Sequence, residues 1–87
     1  MDLRALVVDD EQLARDELCF QLGQLGGVEI TGQAGNGVEA IDAIERLRPD
    51  VVFLDIQMPG LSGFEVARRV VALGLSTHLV FVTAFDQ

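Results

Sequence analysis

The chain has 87 residues, 49% hydrophobic and 23% charged, and 14 acids against 6 bases give a formal net charge of −8. That length suits one small domain with little margin over chain entropy, and the composition is that of a globular chain. The acidic balance argues against direct binding to nucleic acid or an anionic membrane, and no apolar run approaches the ~18 residues of a membrane-spanning helix.

The start, Met1-Asp2-Leu3-Arg4, lacks the basic flank and long apolar region of a signal peptide. Leu3 to Val8 reads as a first strand, running into Asp9-Asp10-Glu11. Helical spacing follows in Leu13, Ala14, Leu18, Leu22 and Leu25, with Asp10 as the expected N-cap and Glu11 as first-turn negative charge. Cys19, the single cysteine, reads as a small half-buried hydrophobe, compatible with a reducing cytoplasm. Val28 to Ala34 is the second strand, and Gly35-Asn36-Gly37 is a turn. Asn36 with Glu39 makes a capping-box pattern for a helix carrying Val38, Ile41, Ile44 and Leu47, which Pro49 stops.

Val51-Val52-Phe53-Leu54-Asp55 is the third strand, a continuous apolar run of the kind buried on both faces of a parallel sheet. Ser62 with Glu65 caps the next helix, expected to turn Phe64, Ala67, Val70 and Val71 inward and Arg68 and Arg69 outward until Gly74. Leu79 to Val82 is the fourth strand, leading to Thr83-Ala84. The order β-α-β-α-β-α-β implies an α/β, flavodoxin-like three-layer sandwich with a parallel sheet.

The strand ends carry the chemistry. The first ends in Asp9, Asp10 and Glu11, the third in Asp55, the fourth in Thr83. In the flavodoxin-like order the first and third strands are neighbours, so these groups share one edge. Two unit charges at 4 Å repel by about 4 kcal/mol at an effective dielectric of about 20. A divalent cation offsets that cost near neutral pH. All-oxygen ligands at an open edge suit Mg²⁺ better than calcium, which wants more ligands, or zinc, which wants His or Cys. His78 lies before the fourth strand, away from this edge. A carboxylate beside such a cation can attack activated phosphorus, making Asp55 a candidate phosphoryl acceptor. Gln57 can add a backbone carbonyl to the metal; the Thr83 hydroxyl and the Ala84 N–H can donate to phosphoryl oxygens. Each residue also has a plainer reading: Asp10 as a cap, Asp55 as a turn residue, Thr83 as strand filling, Met58-Pro59-Gly60 as loop. Their coincidence at three strand ends favours the site.

Val7-Val8-Asp9-Asp10-Glu11, Phe53-Leu54-Asp55-Ile56-Gln57-Met58-Pro59-Gly60 with Gly63, and Val82-Thr83-Ala84 resemble the receiver domain of two-component response regulators, in the same order. The likeness covers residues 1–87, and Asp10-Glu11-Gln12-Leu13-Ala14-Arg15 and Val82-Thr83-Ala84-Phe85-Asp86-Gln87 are most similar to its LytTR-type branch. The resemblance implies that Asp55 accepts a phosphoryl group from a sensor histidine kinase. Asp9, Asp10 and Asp55 would hold Mg²⁺ with the Gln57 carbonyl, and Thr83 would be the switch hydroxyl. It also implies a non-enzymatic module, capable at most of self-phosphorylation from small donors and of self-dephosphorylation, in a cytoplasmic transcriptional regulator that meets DNA only through a separate effector domain.

Receiver domains continue beyond the fourth strand with a helix, a strand bearing a phosphoryl-contacting lysine, and a further helix. This sequence contains no lysine, so it reads as a receiver cut after its fourth strand. The fourth strand is then expected to be an open edge, favouring a homodimer or a domain-swapped dimer. Three alternatives stay open: a phosphorylation-incompetent interaction module; a Mg²⁺-dependent aspartyl phosphohydrolase, disfavoured by Gln57 where such enzymes carry a second acid; and a flavin-binding flavodoxin-like domain, disfavoured by the absence of Trp and Tyr.

Overall fold

A computed structural model describes residues 2–82. Thr83 and Ala84, assigned from sequence to the phosphoryl contacts, lie outside the described residues. Chain order is β1 (Leu3–Val8), α1 (Gln12–Leu25), β2 (Val28–Ala34), α2 (Gly37–Leu47), β3 (Val51–Asp55), α3 (Gly63–Ala72) and β4 (His78–Val82). The four strands form one sheet in the order β2-β1-β3-β4, with every neighbouring pair parallel. This is the flavodoxin-like arrangement, with β1 and β3 at its centre. The fourth strand starts at His78, one residue earlier than expected.

Strand alternation sorts the side chains onto two faces. Leu6 and Val8 of β1 and Val52 and Leu54 of β3 join Ala34 and the inner sides of α2 and α3 in the main core. Ala5, Val7 and Val51, also buried, alternate with them and belong to the other face, where α1 packs on β1 and β2. Next to Ala5 and Leu6 the β1–β2 register shifts by one residue, and the Thr31 hydroxyl donates to the Ala5 carbonyl at 3.1 Å.

The helices correct several inward assignments. On α1 only Leu22 is buried, with Ala14, Leu18 and Cys19 half-buried, while Leu13 and Leu25 are 83% and 78% exposed. A helix touching two strands presents a narrow stripe. Burial raises the Cys19 thiol pKa, Asp16 adds to the rise and Arg15 opposes it, which fits an inert packing thiol. The buried positions of α2 are Gly37, Ala40, Ala43 and Ile44, small enough for close packing, and Val38 is left in solvent. On α3 the buried set is Gly63, Val66 and Val70, a spacing of three and four that turns Phe64 and Val71 outward. Phe64 instead meets the ring of Phe81 on β4, with centroids 5.2 Å apart.

Both N-cap residues act as read, while the return bond of the second box is not made because the Glu65 carboxylate turns to Arg68 and Arg69. Asn36 Oδ1 accepts from the Glu39 N–H at 2.9 Å, and Ser62 Oγ accepts from the Glu65 N–H at 3.2 Å. Glu39 reaches back one residue further than in the usual box, to the Gly35 N–H. Asp10 is not the cap of α1: the flanking residue is Glu11, with no side-chain cap bond. Asp9 Oδ1 accepts from the Glu11 N–H at 2.9 Å, so the acid one residue earlier closes this turn.

Candidate functional site

Three acids meet at the carboxyl edge of the two central strands. Val8 pairs with Leu54, so the next residues, Asp9 on one strand and Asp55 on the other, emerge side by side. Asp10 follows in the β1–α1 turn. One carboxylate oxygen from each of Asp9, Asp10 and Asp55 falls within 4.8 Å of the others, with Asp9 and Asp55 half-buried and Asp10 exposed. His78 pairs with Val51 at the opposite end of the sheet and takes no part.

Short bonds hold the acids in place. The Asp9 N–H donates to the Ala34 carbonyl at 3.2 Å, tying the end of β1 to β2. The Gln57 N–H donates to Asp55 Oδ1 at 3.2 Å, which places Gln57 beside the acids but involves its N–H, not the carbonyl selected from sequence as a metal ligand. Met58 is buried in the main core and anchors the loop beyond. Gly63 closes that loop: its N–H donates to the Ile56 carbonyl at 2.9 Å, and a Cβ there would lie 2.5 Å from the Asp55 carbonyl oxygen. Only glycine lets α3 start this close to the end of β3.

The electrostatics are unresolved within the protein. Burial raises the Asp55 pKa above the ordinary aspartate value, and the charges of Asp9 and Asp10 add to the rise; N–H donation from Gln57 and Ile56 opposes it. The donor set is three carboxylates without nitrogen or sulfur, which fits a hard divalent cation of the Mg²⁺ type and not zinc.

Arg15, which sequence reading left unassigned, also reaches this edge. From α1 its Nη1 donates to the Asp9 main-chain carbonyl at 2.8 Å, and its Nε donates to Gln33 Oε1 on β2 at 3.0 Å. No local spacing marks it, because Gln33 is 18 residues away.

Residues 5–87 match the family model described as the response regulator receiver domain. The chain is 51% identical over 85 residues to an uncharacterized response regulatory protein of Yersinia pestis, covering 98% of this chain and 35% of that protein. It is 46% identical to the transcriptional regulatory protein BtsR of Escherichia coli K12, with the same coverage. The chain thus spans about a third of the length of the curated relatives it matches. Among solved structures, the signal receiver domain of NarL from Mycobacterium tuberculosis superposes with a TM-score of 0.91 at 35% identity, over 99% of this chain and 69% of that one. The response regulator domain of Thermotoga maritima CheB gives 0.90 at 30% identity, over all of this chain and 64% of that one. By sequence along nearly its whole length and by fold, the chain belongs to the response regulator receiver domain family.

Proposed function

We propose that Asp55 is the phosphoryl acceptor of this receiver. The supporting observation is the delivery of Asp55, by the central strand β3, to within 4.8 Å of two further carboxylates at the open edge. Receiver domains are in general signal-transduction modules phosphorylated by sensor histidine kinases. An Asp55 carboxylate oxygen attacks the phosphorus of a phosphohistidine. The O–P bond forms as the N–P bond breaks, and the departing imidazole keeps the electron pair and takes up a proton. Asp9, Asp10 and Asp55, with the Gln57 carbonyl, would hold Mg²⁺, which when bound supplies positive charge against the transferring phosphoryl oxygens. Thr83 and Ala84 complete the reading as phosphoryl contacts.

In the parent protein the receiver precedes a transcriptional output domain in the cytoplasm, and DNA is met only through that domain. The relatives named as transcriptional regulators support this. The LytTR-type branch is supported by Asp10 to Arg15 and is decided by the sequence of the output domain. Among the described residues no helix is long and apolar enough to cross a membrane.

Mass spectrometry after incubation with Mg²⁺ and acetyl phosphate tests the acceptor. Wild type gains one phosphoryl group and Asp55→Asn gains none; a phosphorylated Asp55→Asn protein would refute the assignment. If the 87-residue chain gains none while a chain extended past Gln87 does, the phosphorylation-incompetent reading holds for this length alone.

A second reading concerns β4, which pairs only with β3 among the described residues and leaves Val80 and Phe81 41% and 39% exposed. Such an edge favours pairing with a second copy, as a homodimer or a swapped dimer. Light scattering checks this, and a monomer persisting at high concentration refutes it.

A further inference from the structure

We propose that Arg15 is a positioning residue that fixes the β1–α1 turn in the shape that lets Asp9 and Asp10 hold a divalent cation. This deepens the reading of the acidic pocket as a Mg²⁺ site and rests on it.

Both acceptors of the Arg15 guanidinium are uncharged. One is the Asp9 carbonyl, 2.8 Å from Nη1, and the other is Gln33 Oε1, 3.0 Å from Nε. A guanidinium is expected to seek carboxylates, and three lie at this edge. Yet among the described residues the ion pairs involve only Arg46, Arg68 and Arg69. Arg15 therefore grips the main chain of an acid without neutralising the carboxylates, which stay free for a cation. The grip spans three elements: α1 supplies the arginine, β1 the carbonyl and β2 the glutamine. The remaining constraints on the turn are the Asp9 N–H bond to Ala34 and the Asp9 Oδ1 bond from Glu11. The second uses a carboxylate oxygen of one of the ligand acids. The Arg15 bond falls on a main-chain oxygen and takes up no carboxylate oxygen.

The neighbouring turn is shaped around the same group. A Cβ on Gly35 would lie 3.3 Å from Arg15 Nη1 and 3.6 Å from Glu39 Oε1, so any larger residue presses on the guanidinium. Removal of groups that orient metal ligands typically weakens metal affinity by about 10-fold or more. A Lys at position 15 keeps the charge but not the two-pronged donor geometry.

The test uses the 87-residue chain and Mn²⁺ as an EPR-visible probe, with amide hydrogen exchange measured on metal-free protein. Arg15→Met, which keeps the apolar stem, is expected to weaken Mn²⁺ binding about 10-fold. It should also speed exchange of the Asp10 and Glu11 amides while leaving core-strand protection unchanged. Arg15→Lys should resemble Arg15→Met, and Gly35→Ala should shift both readouts in the same direction by less. Asp10→Ala serves as the control for the metal site itself. If Asp10→Ala loses Mn²⁺ but Arg15→Met binds like wild type, the positioning role is overturned and the metal site stands. If wild type binds no Mn²⁺, the metal reading falls, and with it the role assigned to Arg15, whatever the exchange shows. Restoration of wild-type affinity by Arg15→Lys would also overturn the proposal, because charge alone would then suffice.

Discussion

The two edges of this sheet treat charge in opposite ways. At the amino edge Arg4, Arg48 and Asp50 all find partners. Arg4 and Asp50 bond reciprocally: the Asp50 N–H donates to the Arg4 main-chain carbonyl at 2.8 Å, and the Arg4 N–H donates to the Asp50 side-chain Oδ2 at 2.8 Å. The Arg4 guanidinium then donates to the Leu47 and Arg48 carbonyls at 2.6 and 2.7 Å, satisfying the free end of α2. Arg48 itself turns into the left-handed region, with φ 49°, so that Pro49 can follow and bury. At the carboxyl edge three carboxylates crowd together, and the nearby arginine addresses a main-chain oxygen instead. One edge is closed by its own charges; the other carries an excess of negative charge that a divalent cation would offset.

Four substitutions would break or sharpen that contrast. The largest effect is expected from Gly63→Ala, because the added methyl meets the backbone of β3, which cannot move aside. About 3 kcal/mol should be lost in urea unfolding, a large share of the stability of a domain this small. Arg4→Ala should cost about 2 kcal/mol by the same measurement, since it strips charged donors from the two α2 carbonyls. A loss that small with phosphorylation unchanged would confirm that the amino edge is purely structural. Asn36→Ala should cost about 1 kcal/mol through the lost cap of α2, read from thermal unfolding by circular dichroism.

The smallest effect has the opposite sign. The folded pKa of Asp55 lies above its unfolded value, so the folded state keeps this proton to higher pH. The site therefore loses stability as pH rises from the ordinary aspartate value through the folded one, and the penalty is full at neutral pH. Asp55→Asn should then melt slightly higher than wild type at pH 7 in EDTA. The gap should narrow towards acid pH and shrink when Mg²⁺ is added. A gap unchanged by Mg²⁺ would remove the cation from the account of this edge.

Much of this was readable from the chain. The alternation of strands and helices implied the flavodoxin-like order, which makes β1 and β3 neighbours, and the acids ending them had to meet once those strands paired. Asx and Ser caps placed the starts of α2 and α3. The faces of the helices were harder to read. Large residues such as Phe64 and Val71 drew the inward assignment, whereas close packing selected Val66 on α3 and Ala40 and Ala43 on α2. Arg15 escaped because its partners are set by strand pairing over long sequence distance, which no helical period encodes. Asp10 was misread as a cap because an acid before a helix can be passed over: Asp9 closes the turn onto the Glu11 N–H, and Glu11 flanks α1 without a side-chain cap bond.

The register of the last strand has a geometric consequence. Asp55 pairs directly with Val82, and Leu54 with Phe81, in a parallel ladder. Asp55 therefore shares a rung with the end of β4, and the rung before it leads through Phe81 to the ring of Phe64 on α3. The sheet is laid out as a short crossbar between one strand tip and the helix beside it.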